Sequence, residues 1–292
     1  MTSSPPARRF DWSNLALRVA SAVVLVPAVL AAIWYGGGPF LLMIAIAIGL
    51  MAVEWGKMST PEAPAEIAVT ITVAVLAAVF AAQVGWYRTA WGLMVGGALI
   101  AAFITRRKVE RAADAAYGVI YIAPACIALV WLRNPSAETM VLVPGQPIDW
   151  RMSQGVGWML LLFVITWAAD IFAFLVGSLL KGPKLWPRFS PNKTWSGFFG
   201  GLLGAMAAAV AFAAYTPLNL VWYAAATVGL LGGLATMAGD LWESMLKRRF
   251  GVKDSGAILP GHGGMLDRVD GLLFATIVIA AARVVDHWGW VH

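Results

Sequence analysis

Charge is scarce in this chain: 12% of its 292 residues are Asp, Glu, Lys or Arg, against about 25% in an ordinary soluble domain. With 60% of residues hydrophobic, too little polar surface is left to face water all round. A soluble globular enzyme is excluded, and the bilayer is the main solvent. Cysteine is nearly absent. The single one, Cys126, lies in an apolar run between Pro124 and Trp131, so neither an intrachain disulfide nor a thiolate metal site can form, and the redox compartment is not readable. Histidine is equally sparse, and His262, His287 and His292 make no zinc constellation. No internal repeat points to the inverted halves of a secondary transporter. No small-residue cleavage pattern follows the first apolar run, so that run, preceded by Arg8, Arg9 and Arg18, is expected to be a retained anchor and not a signal peptide.

Long apolar runs are what the chain has in abundance. Windows able to cross a hydrocarbon core of ~30 Å, about 20 helical residues each, predict an all-α polytopic membrane protein with about nine transmembrane helices. They lie at 15–35, 40–54, 67–84, 90–104, 115–132, 156–180, 197–215, 220–238 and 271–290. The excess of 21 Lys and Arg over 15 Asp and Glu is what membrane orientation requires, and it identifies no nucleic-acid partner. With the N-terminus inside, 17 of those 21 basic residues fall on the cytoplasmic side, leaving Arg88, Arg133, Arg151 and Arg283 outside. That bias fixes the expected orientation, in the cytoplasmic (inner) membrane, with two large cytoplasmic loops at 181–196 and 239–270.

The chain changes character near residue 155. Residues 1–155 read as about five apolar helices with ordinary loops. Residues 156–292 place charged groups inside or against the helices, and the chemistry is expected there. Asp170 lies well inside its helix, where a carboxylate costs on the order of 3 kcal/mol or more. Thr166, Asp170, Ala173 and Gly177 follow helical spacing and form a small, polar seam that can face a water-filled cavity, or pack a neighbouring helix. In the next loop Ser190-Pro191-Asn192-Lys193-Thr194 is expected to open a helix, bringing hydroxyls, free N–H groups and an ammonium to a positive helix end suited to phosphate.

Further on, Asp240, Glu243, Ser244 and Lys247 share one helical face if the eighth helix continues past Gly239. Basic residues follow in Lys247-Arg248-Arg249, then Lys253-Asp254, the turn Pro260-Gly261-His262-Gly263-Gly264, and Asp267-Arg268-Val269-Asp270. The glycines permit close approach of backbone N–H groups to an anion. Asp267 and Asp270 fall on one side of a helix that starts there, and carboxylate oxygens are what Mg²⁺ selects. Cations beside a carboxylate-bound metal suit a polyphosphate whose leaving group must be stabilised. His262 could donate to a phosphate, to a nucleotide base or to its own loop.

From Ser244 through Lys247-Arg248, Lys253-Asp254 and Pro260-Gly261-His262-Gly263-Gly264 to Asp267-Arg268-x-Asp270, the pattern resembles the signature of the phosphatidate cytidylyltransferases, or CDP-diacylglycerol synthases. Trp167-Ala168-Ala169-Asp170, Ser190 to Thr194 and Gly239-Asp240-x-x-Glu243-Ser244 are similar to further blocks of that family, so the resemblance covers residue 156 to the C-terminus. One position departs: Ser196 stands before Gly197 where the family commonly has Glu. The resemblance implies an Mg²⁺-dependent membrane enzyme, with room for a second cation, that makes CDP-diacylglycerol and pyrophosphate from phosphatidate and CTP. A homodimer is one assembly open to it. Asp240 and Asp267 are then the leading metal ligands. Glu243, Asp270 and Asp170 are further carboxylates for a second cation or a substrate hydroxyl, and Lys193, Lys247, Arg248, Lys253 and Arg268 are phosphate partners. Ser190, Thr194, Ser244, Asp254, His262, Gly263 and Gly264 complete the substrate-binding set. An ion-coupled transporter would account for Asp170 but not for the Gly-rich turn. Another CTP-dependent lipid phosphotransferase, such as a lipid-alcohol kinase, would differ in its lipid substrate, and the CDP-alcohol phosphotransferase motif starts at Asp270-Gly271 but goes no further.

Overall fold

The computed structural model describes residues 12–106, 109–134, 154–218, 220–259, 261 and 263–287, with backbone alone for 12–18 and 109–110. Nine helices lie among the described residues: α1 (Trp12–Tyr35), α2 (Gly37–Ser59), α3 (Pro64–Gln83), α4 (Tyr87–Ile104), α5 (Val109–Arg133), α6 (Gln154–Leu180), α7 (Trp195–Tyr215), α8 (Trp222–Arg249) and α9 (Leu266–His287). Every apolar window of the sequence falls on one of them, residues 288–290 of the last window lying outside the described residues. Seven, α2 to α8, are long and apolar enough to cross a membrane. α9 has the necessary length but carries Asp267, Arg268, Asp270, Arg283 and Asp286.

Helix ends depart from the apolar windows where charge points inward. α8 runs on from Ala238 to Arg249, and α9 begins at Leu266, ahead of Gly271. The segment 239–270, expected as one loop, is therefore two helix ends joined by residues 250–265. The reason is physical: Asp240, Glu243, Lys247, Asp267 and Asp270 line a cavity inside the bundle, so hydropathy falls without the helix stopping. The Ser190–Thr194 block is a second correction. It forms strand β2, antiparallel to β1 (Lys184–Trp186), with Lys184 opposite Thr194 and Trp186 opposite Ser190. Pro191 disfavours the helical region for Ser190, and the helix opens one residue after the block. Thr194, extended at φ −121° and ψ 156°, is the N-cap of α7, its Oγ1 accepting from the Gly197 N–H at 3.1 Å.

Helices α2 to α5 pack through Trp55, Ile67, Ile71, Val75, Val119 and Ile122, all at most 1% exposed, while Val69, Val73, Leu99 and Phe103 look outward, as lipid-facing positions do. α5 touches both halves, packing on α2, α3 and α4 and also on α6 and α9. The two ends of the bundle are built differently. At one, Arg133 donates to the carbonyls of Ile33 and Trp34, and Arg283 to those of Trp131, Leu132 and Asn134, so arginines satisfy the last carbonyls of α1 and α5. At the other, Arg111 donates to the Ser59 carbonyl and Arg249 pairs with Asp114 at 2.7 Å. The β hairpin and the described residues of 250–265 share this second end.

Candidate active site

Where α8 and α9 cross, Gly239 lies against the Asp270 carbonyl and Gly271 against Thr236, so a Cβ on either would overlap backbone atoms. This close crossing sets Asp240 and Asp270 on the wall of one cavity of about 450 Å³. Thr166 and Asp170 of α6 contribute to it, with Glu243 and Lys247 of α8, Asp267 and Arg268 of α9, and Asp254 and Gly263 from the connecting segment; Phe163 and Trp167 form its apolar flank. The helical face proposed from spacing in α8 thus points into the bundle, and Glu243 is only 3% exposed.

Two ammonium groups pair with three of the carboxylates. Lys247 Nζ reaches Glu243 Oε2 at 2.8 Å and Asp267 Oδ1 at 2.6 Å, tying α8 to α9. Lys193, carried by β2, pairs with Asp240. Asp267 also accepts from the backbone N–H groups of Ser255 at 3.1 Å and Gly264 at 3.2 Å. Gly263 makes a backbone bridge with Leu259 and has φ +85°, a conformation that side chains other than glycine's rarely adopt. Asp270 accepts from the Gly271 N–H at 2.7 Å. The buried Glu243 Oε1 has no hydrogen-bond partner among the described residues. An orphaned carboxylate oxygen in a pocket walled by oxygen donors fits a hard cation. No three such side chains among the described residues already converge as a metal cage, so a bound divalent cation would share its coordination with water or phosphate oxygens, as Mg²⁺ commonly does.

A second cavity of about 780 Å³ adjoins the first, and Asp170 and Asp240 line both. Its walls include Ala173, Phe174, Gly177, Leu185, Phe198 and Met237, with Lys181, Lys184, Asn192, Lys193 and Thr194 toward the hairpin. The small-residue seam of α6 therefore serves two spaces, Thr166 and Asp170 facing the polar one and Asp170, Ala173 and Gly177 the apolar one.

Not every predicted residue lines these spaces. Ser190, Ser244 and Gly264 line neither cavity, and Arg248 and Lys253 are exposed, Arg248 donating to the Val252 carbonyl at 3.5 Å. His262 lies outside the described residues. Sequence reasoning also passed over Glu54 and Ser255, which support the segment bearing Asp267. The signal for Glu54 was present: a carboxylate in an apolar window, read as the window's end because hydropathy falls there, whereas α2 continues to Ser59.

At the divergent position, Ser196 Oγ donates to the Lys181 carbonyl and lies 3.1 Å from Thr194 Oγ1, and it lines neither of the two cavities. Ser196→Ala should therefore leave turnover within a few fold, measured on purified protein. A loss of several hundredfold at normal expression would give that hydroxyl a catalytic task.

The match to known proteins runs through these same elements. The phosphatidate cytidylyltransferase of Brucella abortus biovar 1 (strain 9-941) is 37% identical over 285 residues, 91% of this chain and 92% of that protein. That of Brucella melitensis biotype 1 is 36% identical over the same length. The enzyme of that name from Staphylococcus aureus (strain COL) is 45% identical over 122 residues, 42% of this chain and 47% of the relative. The sequence profile described as the cytidylyltransferase family spans residues 16–285, from α1 through nearly all of α9. Helices α2 to α8, the cavity walls and all three lysine–carboxylate pairs fall within that span, and the chain belongs to the cytidylyltransferase family.

Proposed function

We propose that this chain transfers the cytidylyl group of CTP to phosphatidate, releasing pyrophosphate and forming CDP-diacylglycerol for phospholipid biosynthesis. One observation carries the reading: a charged cavity and a largely apolar cavity meet at Asp170 and Asp240. A reaction between a polyphosphate and a lipid needs such a junction. The triphosphate belongs in the charged cavity beside Lys247 and Arg268. The lipid phosphate belongs at the junction near Lys193, its acyl chains along Phe174, Leu185 and Phe198. A phosphate monoester oxygen, already anionic near pH 7, attacks the α-phosphorus; the new P–O bond forms as the bond to the β-phosphate breaks, and pyrophosphate takes the electron pair. No covalent nucleophile is required, so catalysis is positioning and charge neutralisation.

Asp240 and Asp267 would hold Mg²⁺, with Glu243, Asp270 and Asp170 available to a second cation or a substrate hydroxyl. When bound, the metal supplies positive charge to the transferring phosphoryl oxygens. The protein's own share is to present Lys193, Lys247 and Arg268 to the phosphates and to keep the reacting atoms out of bulk water. The family membership leaves the transporter reading without support. Purified protein should move label from α-labelled CTP into organic-extractable lipid only with phosphatidate and Mg²⁺ both present; an unlabelled lipid fraction under those conditions would sink the assignment.

The orientation belongs to the same proposal. CTP is cytoplasmic, so the hairpin and residues 250–265 face the cytoplasm across the inner membrane, with the N-terminus on that side. A cysteine placed at Lys184 should react with an impermeant thiol reagent only after the membrane is opened. Labelling in intact spheroplasts would contradict it. Pairing of two copies is checked by light scattering in detergent.

A further inference from the structure

Glu54 is a carboxylate with no exposed surface, on a helix outside the charged cavity, and no Lys or Arg neutralises it by a described ion pair. Burial on those terms is costly unless donors surround the oxygens. Three do, from residues more than 200 positions away: the Met265 N–H at 2.8 Å to Oε1, the Leu266 N–H at 2.8 Å to Oε2, and the Ser255 hydroxyl at 3.1 Å to Oε2. Leu266 opens α9, so Glu54 satisfies donors at that helix's N-terminus and places negative charge where its dipole favours it.

Ser255 joins this clamp to the cavity. Its hydroxyl is spent on Glu54 while its own N–H donates to Asp267, which also takes the Gly264 N–H. The fit leaves no slack: a Cβ on Gly256 would come within 2.8 Å of Glu54 Oε1, and one on Gly264 would collide with the Ser255 hydroxyl. Three consecutive N–H groups, of Gly264, Met265 and Leu266, are thus held by two carboxylates, one fixed in α2 and one facing the cavity.

We propose that Glu54 is a positioning residue of the active site: it pins Ser255 and the start of α9 from across the bundle, and so sets where the Asp267 carboxylate stands. The N-terminal helices then help to build the site and do more than anchor it. The inference rests on the proposed function for its kinetic reading but not for its structural one. Glutamine cannot replace the clamp, because it offers one acceptor oxygen and turns an NH₂ toward groups that are themselves donors.

The test uses the full chain in detergent. In the metal-free protein, hydrogen–deuterium exchange of Glu54→Gln should rise tenfold or more in peptides covering 253–270 while those of α3 and α4 hold. In turnover, kcat per folded molecule should fall at least tenfold and half-saturating Mg²⁺ should rise severalfold. Glu54→Asp, which keeps both acceptors on a shorter stem, should recover part of each. Ser255→Ala removes only the hydroxyl and should shift the same readouts less, and it decides the matter if Glu54→Gln fails to fold. Lower folded yield with unchanged exchange in 253–270, or with unchanged kcat and Mg²⁺ dependence per folded molecule, makes Glu54 purely architectural and overturns the proposal. If the wild-type chain fails to label lipid, the functional reading falls while the exchange arm still decides the clamp.

Discussion

Asp240→Asn should lower turnover about a thousandfold while leaving the melting temperature in detergent nearly unchanged. The activity side follows from position. Asp240 lines both cavities and meets Lys193 from the hairpin, which is where the proposed function brings lipid phosphate and nucleotide together. Stabilising charge on a transferring phosphoryl group is worth several kcal/mol, and each ~1.4 kcal/mol is a factor of ten. The stability side follows from exposure. The side chains of Lys193 and Asp240 are 28% and 35% exposed, and ion pairs open to solvent contribute roughly 0–1 kcal/mol. Asparagine keeps the size and one acceptor oxygen for Lys193. Single-turnover kinetics with saturating CTP and a thermal melt on the same preparation check both halves. Retention of a tenth or more of wild-type turnover would remove Asp240 from the proposed metal-holding pair.

Legibility in the sequence tracked how each residue spends its polarity. The spans were readable because lipid-facing positions such as Val73, Leu99 and Phe103 must be apolar whatever the function. Asp170 was readable because a carboxylate in such a span is costly and so marks a cavity. Helix ends were not readable at Ala238 and Gly271, where inward-facing Asp240, Glu243 and Asp267 lower the hydropathy just as a loop would. The Ser190–Thr194 block carried both a strand and the N-cap of α7. A cap signal does not say whether the residues before it are extended, and only the pairing with Lys184–Trp186 decides that. Glu54 was hidden for a different reason: its partners are two backbone N–H groups and a serine hydroxyl more than 200 residues away, and backbone donors leave no mark on sequence.

Asp267→Asn should lose activity on the same scale as Asp240→Asn but, unlike it, should also melt at a lower temperature. Sequence reasoning leads to the opposite stability expectation: four carboxylates, Asp240, Glu243, Asp267 and Asp270, crowd together in the metal-free protein, so removing one charge should relieve repulsion and leave stability the same or higher. The structure shows that this crowding is already neutralised across two helices. Lys247 bridges Glu243 and Asp267, and the side chains of Lys247 and Asp267 are 13% and 11% exposed, well below the Lys193–Asp240 pair. Asp267 further takes two backbone N–H groups, so an asparagine amide must turn its NH₂ either toward the ammonium or toward those donors. Breaking one side of a hydrogen-bonded, largely buried ion pair leaves donors unsatisfied at about 1–3 kcal/mol, and the remaining Lys247–Glu243 bond at 2.8 Å limits the damage. The measurements that decide are melting temperature, Mg²⁺ dependence and turnover per folded molecule. A melting temperature equal to wild type would mean that Lys247 is fully served by Glu243. Full activity per folded molecule with unchanged Mg²⁺ dependence would make Asp267 a clamp for Lys247 and the 250–265 segment alone, and would leave Asp240 to hold the metal without it.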